Sequence, residues 1–353
     1  MDFTKAKDVC LPRDLIIGHG VLSRTADVCD NFGLGKDVMI VTGHDTYKAA
    51  GKEVQESLSE KGFNVNVLQV GDATADNVEK AIKASKETHS KMLLSVGGGS
   101  KIDIGKMVSL KLSVPMISVP TSASHDGIAS GRASLKSNSG PVSIDAAVPM
   151  AVIADTKVLA RSPYRLLAAG CADVMSNITA LMDWDFARRV RNEEFSTSAY
   201  SLSKYSADAI IDNSKLIKPG MEESVWISIK PIIVSGLSMS IAGSSRPTSG
   251  SEHMFSHALD IDHPGKALHG EQCGVGAIMM MYLHGGDWQL IRNTLKNIGA
   301  PTTAKELGLK DDDIIDAMTK AHKVRDRFTI LGDNGLSRET AETVARATQV
   351  IGW

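Results

Sequence analysis

The chain has 353 residues, a length that suits two domains at roughly 100–200 residues each. Hydrophobic residues make up 42% and charged residues 23%, a globular composition that excludes a disordered or fibrous chain. With 39 Lys and Arg against 41 Asp and Glu the net charge is −2, so bulk charge does not draw the chain to nucleic acid or to an anionic membrane.

In chain order, residues 1–13 carry Asp2, Lys5, Lys7 and Asp8 and no apolar stretch, unlike a signal peptide. From 36 to 157 short apolar strands alternate with helices. Strands are predicted at 37–43, 64–70, 92–96 and 116–119, and helices at 46–61, 77–88 and 101–110. This alternation predicts an α/β domain whose parallel sheet is covered on both faces. After about 161 the strand signals fade. Helices are predicted at 163–189, 197–216, 225–242, 253–259, 273–283, 288–298 and 312–324, with Asp311, Asp312 and Asp313 as an acidic helix start. The expected organisation is an α/β domain over 1–160, an all-helical domain over 161–353, and a ligand cleft between them.

No uncharged run approaches the ~20 apolar residues of a membrane span; 231–245 is interrupted by Ser and Gly. Cys10, Cys29, Cys171 and Cys273 form no CxxC pair, which points to reduced thiols in a cytoplasm rather than disulfides or a Cys-rich zinc module. Aromatic residues, at 5%, are too few for base-stacking platforms.

Three segments carry candidate chemistry. In the first, Gly97, Gly98 and Gly99 lead from a strand through Ser100, Lys101 and Ile102 to Asp103. Glycines let the backbone approach a phosphate, and the following helix offers free N–H groups, so a pyrophosphate is the expected guest. GxGxxG fails at Ile102, and GxxxxGK[ST] fails at Ser100 and Met107. A simple tight turn is the competing reading. The second segment, from Pro120 to Gly127, is rich in small hydroxyl residues that suit phosphate or ribose oxygens. Two polar turns at the carboxyl ends of neighbouring strands are where open α/β sheets bind ligands.

The third is a histidine cluster: His253, His257, His263, His269 and His284 fall within 32 of the 353 residues. His253 and His257 share a helical face. Two of His253, His257 and His269 with a carboxylate could hold a divalent ion and leave an open position. The carboxylate candidate is Asp173, in a run of small and apolar residues where it needs a cation; a salt bridge or helix cap is the competing reading. His263, His284, His322, His89 and His19 read as structural or exposed.

Together these segments resemble the iron-type and zinc-type polyol dehydrogenase superfamily, which includes dehydroquinate synthase. The resemblance covers nearly the whole chain: GGGSKIDIGK from Gly97, PTSASHDG from Pro120, Asp173, and Ser251 through Asp260 to His269-Gly270-Glu271. SASHDGIASGRAS and SEHMFSHALD are especially similar to the sn-glycerol-1-phosphate dehydrogenase family. That resemblance implies Asp173, His253 and His269 as metal ligands, usually for zinc. It implies Asp126, Asp173 and His257 as substrate-binding and catalytic residues. It also implies nicotinamide-cofactor contacts from Gly98, Gly99, Ser100, Lys101, Ile102, Asp103, Thr121, Ser122, Ala123, Ser124 and Ser130.

The implied reaction is reversible reduction of dihydroxyacetone phosphate to sn-glycerol 1-phosphate, supplying the glycerophosphate backbone of archaeal membrane lipids. Glycerol dehydrogenases share the Asp and two His and are the alternative, as is a dehydroquinate-synthase-like lyase that uses NAD transiently. Iron-type alcohol dehydrogenases carry a fourth ligand, a His, where this chain has Asn177; dehydroquinate synthases carry Glu at Asp173. Gly43, where NAD-selective relatives place an acid, leaves both NAD and NADP open. Arg246, Lys230 and Arg132 are candidate partners for a substrate phosphate. Zinc, nickel and iron remain open, and a homo-oligomer is compatible with the chain.

Overall fold

The computed structural model describes residues 8–137 and 140–352. Residues 1–7, where the signal-peptide reading mostly falls, lie outside them. Strands β1 (Asp14–Gly18), β2 (Asp37–Thr42), β3 (Asn64–Gln69), β4 (Met92–Gly97), β5 (Met116–Pro120) and β8 (Ala151–Asp155) form an all-parallel sheet of order β1-β8-β5-β4-β2-β3. Strands β6 (Arg132–Ser137) and β7 (Gly140–Asp145) form a separate antiparallel hairpin.

The period of two in the strand sequences explains the layering. In β2, Val38 and Ile40 face one apolar cluster with Leu22, Val54 and Leu58, while Met39 and Val41 face another with Val78, Ala81 and Val108. Both faces are thus covered by helices, as the near-continuous hydrophobic strands predicted. Sequence reading overlooked β1, β8 and the hairpin. β1 and β8 are five residues each and pair with one another from Asp14↔Ala151 to Gly18↔Asp155, so their order is set by a partner far away in the chain.

Five helices position the cleft: α1 (Gly99–Leu112), α2 (Tyr164–Arg191), α3 (Glu222–Ala242), α4 (Ser251–Asp262) and α5 (His269–Leu283). Downstream of β8 the described residues contain helices and turns and no strand, and their core joins α2 to α5 through Val174, Ile232, Phe255 and Ile278. Helix α3 has the length and hydropathy of a membrane span, at a mean of 1.6, which the sequence reading did not anticipate. More than half of that stretch is buried inside the protein, where it packs on Thr197–Asn213 and α2, as expected of a core helix. The four cysteines are free thiols. Helix 312–324 is observed as Asp311–Lys320 followed by a 3-10 turn, Ala321–Lys323, and its acidic start caps itself: Asp313 accepts from the Lys310 N–H at 2.9 Å. Helix Arg338–Ala347 was not predicted.

Candidate active site

The cleft lies between the carboxyl ends of β4 and β5, the β6–β7 hairpin, and helices α2 to α5; its volume is about 410 Å³. β2 leads outward to β3, whereas β4 sits on its other side and leads on to β5. The turns after β2 and β4 therefore flank a topological switch point, the usual ligand crevice of an open sheet. β4 ends at Gly97, and α1 begins at Gly99, giving the expected strand–glycine–helix turn.

Gly97 pairs with Pro120, so the two polar turns are neighbours. Gly99 is required for their contact: a Cβ there would lie 2.1 Å from Nε2 of His125. His125 is half-buried, and desolvation of its ring depresses its pKa to about 3 and keeps it neutral, while its Nδ1 accepts the Gly127 N–H at 2.9 Å. Gly170 and Gly236 serve the same loop from the helical side. A Cβ on them would stand 2.0 Å from the Ala123 carbonyl oxygen and 2.4 Å from that of Asp126, so α2 and α3 press directly on this loop.

Of the turn residues, Gly99, Ser100, Asp103, Ser124 and Ser130 line the cleft. Ile102 and Ala123 are buried in the apolar core, so only their main chain can reach a ligand. Thr121 and Ser122 are buried, and the Ser122 hydroxyl rests 3.1 Å from where a Gly98 Cβ would be. The Lys101 side chain turns back over Gly43, with Nζ donating to the Gly71 carbonyl at 2.5 Å. The Asp103 carboxylate accepts the Ser134 N–H at 3.0 Å and faces Lys106 Nζ at 3.4 Å. Lys106 is wholly buried and also donates to the Gly127 and Arg132 carbonyls, stapling the loop to the hairpin.

Asp173, His253 and His269 converge on one point from α2, α4 and the first residue of α5. Oδ1 of Asp173 stands 3.6 Å from Nε2 of His253 and 3.7 Å from Nε2 of His269. Cys273 Sγ joins them, and all four donor atoms lie within 4.8 Å of one another. Asp173 lies inside α2 with neither a cation beside it nor a capping role. Its Oδ2 accepts the Asp126 N–H at 3.2 Å, while Oδ1 is buried without a partner. Burial, helped by Glu252, pushes this carboxyl up to about 7. Donor atoms on one tetrahedral ion are separated by roughly 3.3 Å at bond lengths near 2.0–2.1 Å, so the spacing suits a shared divalent ion.

Outer partners set both imidazoles. His253 Nδ1 lies 2.9 Å from Glu252 Oε1, which also accepts the Gly250 N–H at 2.6 Å. The Ser256 hydroxyl donates to Gln272 Oε1 at 2.6 Å and therefore accepts from His269 Nδ1 at 3.0 Å; Gln272 in turn donates to Asp260 at 3.0 Å. With Nδ1–H bound outward, each Nε2 presents a lone pair inward, the arrangement a metal ligand needs. Burial lowers both imidazole pKa values and keeps them neutral.

His257 is one helical turn from His253, its ring 5.8 Å from that of His269. Its Nε2 accepts from Arg325 Nη2 at 3.3 Å, and its Nδ1 is buried without a partner. Asp126 accepts the Ser235 hydroxyl at 2.8 Å, and burial, then Asp173, raises its carboxyl to about 7. Asn177 donates to Ser235 Oγ at 2.8 Å instead of entering the cluster. Of the other histidines, His284 meets Asp183 at 3.1 Å, His263 meets Asp313 at 3.3 Å and His19 meets Glu222 at 3.0 Å, whereas Nδ1 of His322 is buried without a partner.

Sequence reading overlooked Cys273, Arg325 and Arg327. Cys273 was findable, because it follows His269 by four residues on one helix; the arginines approach from a segment with no local signal.

The curated glycerol-1-phosphate dehydrogenase [NAD(P)+] of Methanosarcina mazei is 53% identical over 347 residues, covering 98% of this chain and 97% of its own length. The chain belongs to the glycerol-1-phosphate dehydrogenase family. The family enzyme of Methanosphaera stadtmanae, with the same printed name, is 51% identical over 352 residues, covering 99% of this chain and 100% of its own length. Residues 16–163 also match the model of the iron-containing alcohol dehydrogenases. A solved glycerol dehydrogenase from Schizosaccharomyces pombe superposes with a TM-score of 0.80 over 98% of this chain and 90% of its own. At 17% identity that likeness shows a shared fold, whereas the likeness to the glycerol-1-phosphate dehydrogenase family is one of sequence along the whole chain.

Proposed function

We propose that this protein is a metal-dependent sn-glycerol-1-phosphate dehydrogenase that reduces dihydroxyacetone phosphate with NADH or NADPH, reversibly. The observation that carries the reading is the unpartnered Asp173 Oδ1 facing two neutral imidazole Nε2 atoms, in a chain more than half identical to a named member of that family. Asp173, His253 and His269 would hold the divalent ion, zinc being the usual choice for N and O donors. The turns at Gly98–Asp103 and Thr121–Ser124, with Ser130, would hold the nicotinamide cofactor, which divides the work near residue 160 between a cofactor-binding α/β part and a helical metal- and substrate-binding part.

When bound, the ion supplies a Lewis acid and the nicotinamide a hydride, so that ketone, hydride and one proton become a secondary alcohol. The chain's own part is positioning and proton handling. Asp173 contributes negative charge and the histidines contribute neutral nitrogen. Asp126 and His257 flank the same space, and both are assigned to substrate hydroxyls and to the proton path. The loop from Pro120 and the hairpin wall the crevice, and those walls would decide which ketone face meets the nicotinamide, so that positioning sets the stereochemistry.

The alternative, reduction of unphosphorylated dihydroxyacetone as in a glycerol dehydrogenase, has support from the fold likeness alone. We assign the protein to the cytoplasm on its free thiols, with a small-molecule substrate and, on its near-neutral charge, no nucleic-acid partner. The test is NAD(P)H oxidation with dihydroxyacetone phosphate and with dihydroxyacetone, followed by chiral analysis of the product. Turnover with the phosphorylated ketone yielding the sn-1 product, abolished by chelation, is expected; full activity after metal removal refutes the ligand set.

A further inference from the structure

Three cations in or beside the cleft are already engaged, and a fourth lies elsewhere. Arg246 is locked to Glu193 and the Phe328 carbonyl, and Arg132 is paired with Asp145. Lys230 rests over the Trp226 ring, 5.6 Å from its centroid and away from the cleft lining. Lys136 pairs with Asp72 at 2.9 Å. Of the three candidates read from the sequence, Arg246 and Arg132 are thus compensated by carboxylates, and exposed Lys230 lies outside the cleft lining.

Arg325 and Arg327 differ. Among the described residues neither has a carboxylate within ion-pair distance. Arg325 lines the cleft, and its guanidinium touches neutral groups: Ser249 Oγ at 3.3 Å and His257 Nε2 at 3.3 Å. Behind it, Arg327 donates to the Ser249 carbonyl and to Ser245 Oγ at 2.9 Å. Burial lowers the pKa of both, helped at Arg325 by the charges of Arg132 and Arg246 and at Arg327 by those of Arg325 and Arg246, with Arg327 brought to about 9. Of the acids that act on them, Glu252 is committed to Gly250, Thr179 and His253, and Glu193 to Arg246. Two neighbouring half-buried cations, neither in an ion pair among the described residues, are a costly arrangement that a bound anion relieves.

We propose that Arg325 anchors the phosphate of the substrate, with Arg327 holding its local frame from behind. The inference rests on the dihydroxyacetone phosphate reading above. In that substrate the phosphorus is three bonds from the carbonyl carbon, so the anion site must adjoin the site of the ketone. His257 links the two, touching Arg325 on one side with its ring 5.8 Å from that of His269 on the other. A guanidinium also offers the paired donors that phosphate oxygens accept best.

The test compares wild type, Arg325→Ala, Arg325→Lys and Arg327→Met in steady-state reduction of dihydroxyacetone phosphate and of dihydroxyacetone, with inorganic phosphate as a competing probe. Metal content and NADPH fluorescence verify that each variant is folded. In Arg325→Ala the KM for the phosphorylated ketone should rise roughly 10- to 150-fold, the loss of one or two charge-assisted hydrogen bonds. Efficiency with dihydroxyacetone should stay within about twofold, and inhibition by inorganic phosphate should vanish. Arg325→Lys should recover part of the affinity, and Arg327→Met should give a smaller KM rise. An unchanged KM in Arg325→Ala, or an equal loss with both ketones, overturns the assignment. If Arg325→Ala fails to fold, an unchanged KM in both Arg325→Lys and Arg327→Met does so. If wild type reduces no dihydroxyacetone phosphate, the functional reading fails by itself; thermal stabilisation by inorganic phosphate, lost on changing Arg325, then decides the anion site separately.

Discussion

Nε2 of His253 lies 3.6 Å from Oδ1 of Asp173, too far for a hydrogen bond, and that buried oxygen has no other partner. A buried carboxylate oxygen left in this way costs free energy unless a third species sits between the two groups. Asp173→Asn keeps the shape and removes the charge. Elemental analysis of the purified variant should find the metal lost, and kcat/KM should fall by at least about 1,000-fold, as several kcal/mol of transition-state stabilisation disappear. His269→Ala should do the same.

Proton competition follows from the same burial. Asp126, Asp173 and Glu252 all have carboxyls raised to about 7 in the metal-free protein. Below that pH Asp173 must lose a proton to bind an ion, so metal affinity should fall as the pH drops from 8 to 5.5. A raised carboxyl contributes stability that is present below its unfolded pKa of about 4 and lost as the pH rises through its folded value. Metal-free protein should therefore lose stability between about pH 4 and 7 through these groups. The gap in unfolding midpoint between metal-loaded and metal-free protein should widen towards pH 8, measured by calorimetry.

The relay from Asp260 through Gln272 and Ser256 to His269 fixes the tautomer of that imidazole. Ser256→Ala should weaken metal binding by roughly 10- to 100-fold while leaving the fold intact. A competition titration against a zinc chelator measures it. His257→Ala, by contrast, should retain stoichiometric metal and lose activity.

Gly43 stands at the end of β2 beside the glycine turn, and a Cβ there would meet the flexible end of Lys101, at 2.8 Å from Cε, and the Thr46 hydroxyl, at 3.3 Å. Gly43→Asp should place a carboxylate where a 2′-phosphate would come, and shift the ratio of kcat/KM towards NADH by about tenfold or more, the scale of one lost charge contact. Parallel assays with NADH and NADPH read it directly.

Lys106 is the structural counterpart of these changes. Its ammonium neutralises Asp103 and binds two carbonyls with no exposed surface. Lys106→Met leaves Asp103 buried without its cation and should cost about 3–5 kcal/mol of stability. Denaturant unfolding measures the loss, and faster amide exchange in the β6–β7 hairpin localises it.

Much of this arrangement was legible in the chain. Hydrophobic strands such as Leu93–Val96 and Ile117–Val119 carry their pattern locally, and the glycine turn between β4 and α1 follows from local conformational freedom. Both histidines of α4 declare their shared face by spacing. The short strands Asp14–Gly18 and Ala151–Asp155 were missed because each is stabilised by the other across the whole α/β part. Arg325 was missed for the same reason, as its partner His257 is 68 residues away.

By itself the amino-acid order determined the helix and strand types, the covered parallel sheet, the family likeness and the set of donor side chains, since these depend on periodicity, turn chemistry and residue identity. Tertiary structure alone decided that Asp173, His253, His269 and Cys273 meet at one point, that Arg246 and Arg132 are neutralised, and that Arg325 and Arg327 are not. Proximity and burial belong to packing between distant segments, and they set both a carboxyl's proton affinity and whether a cation is left without a partner.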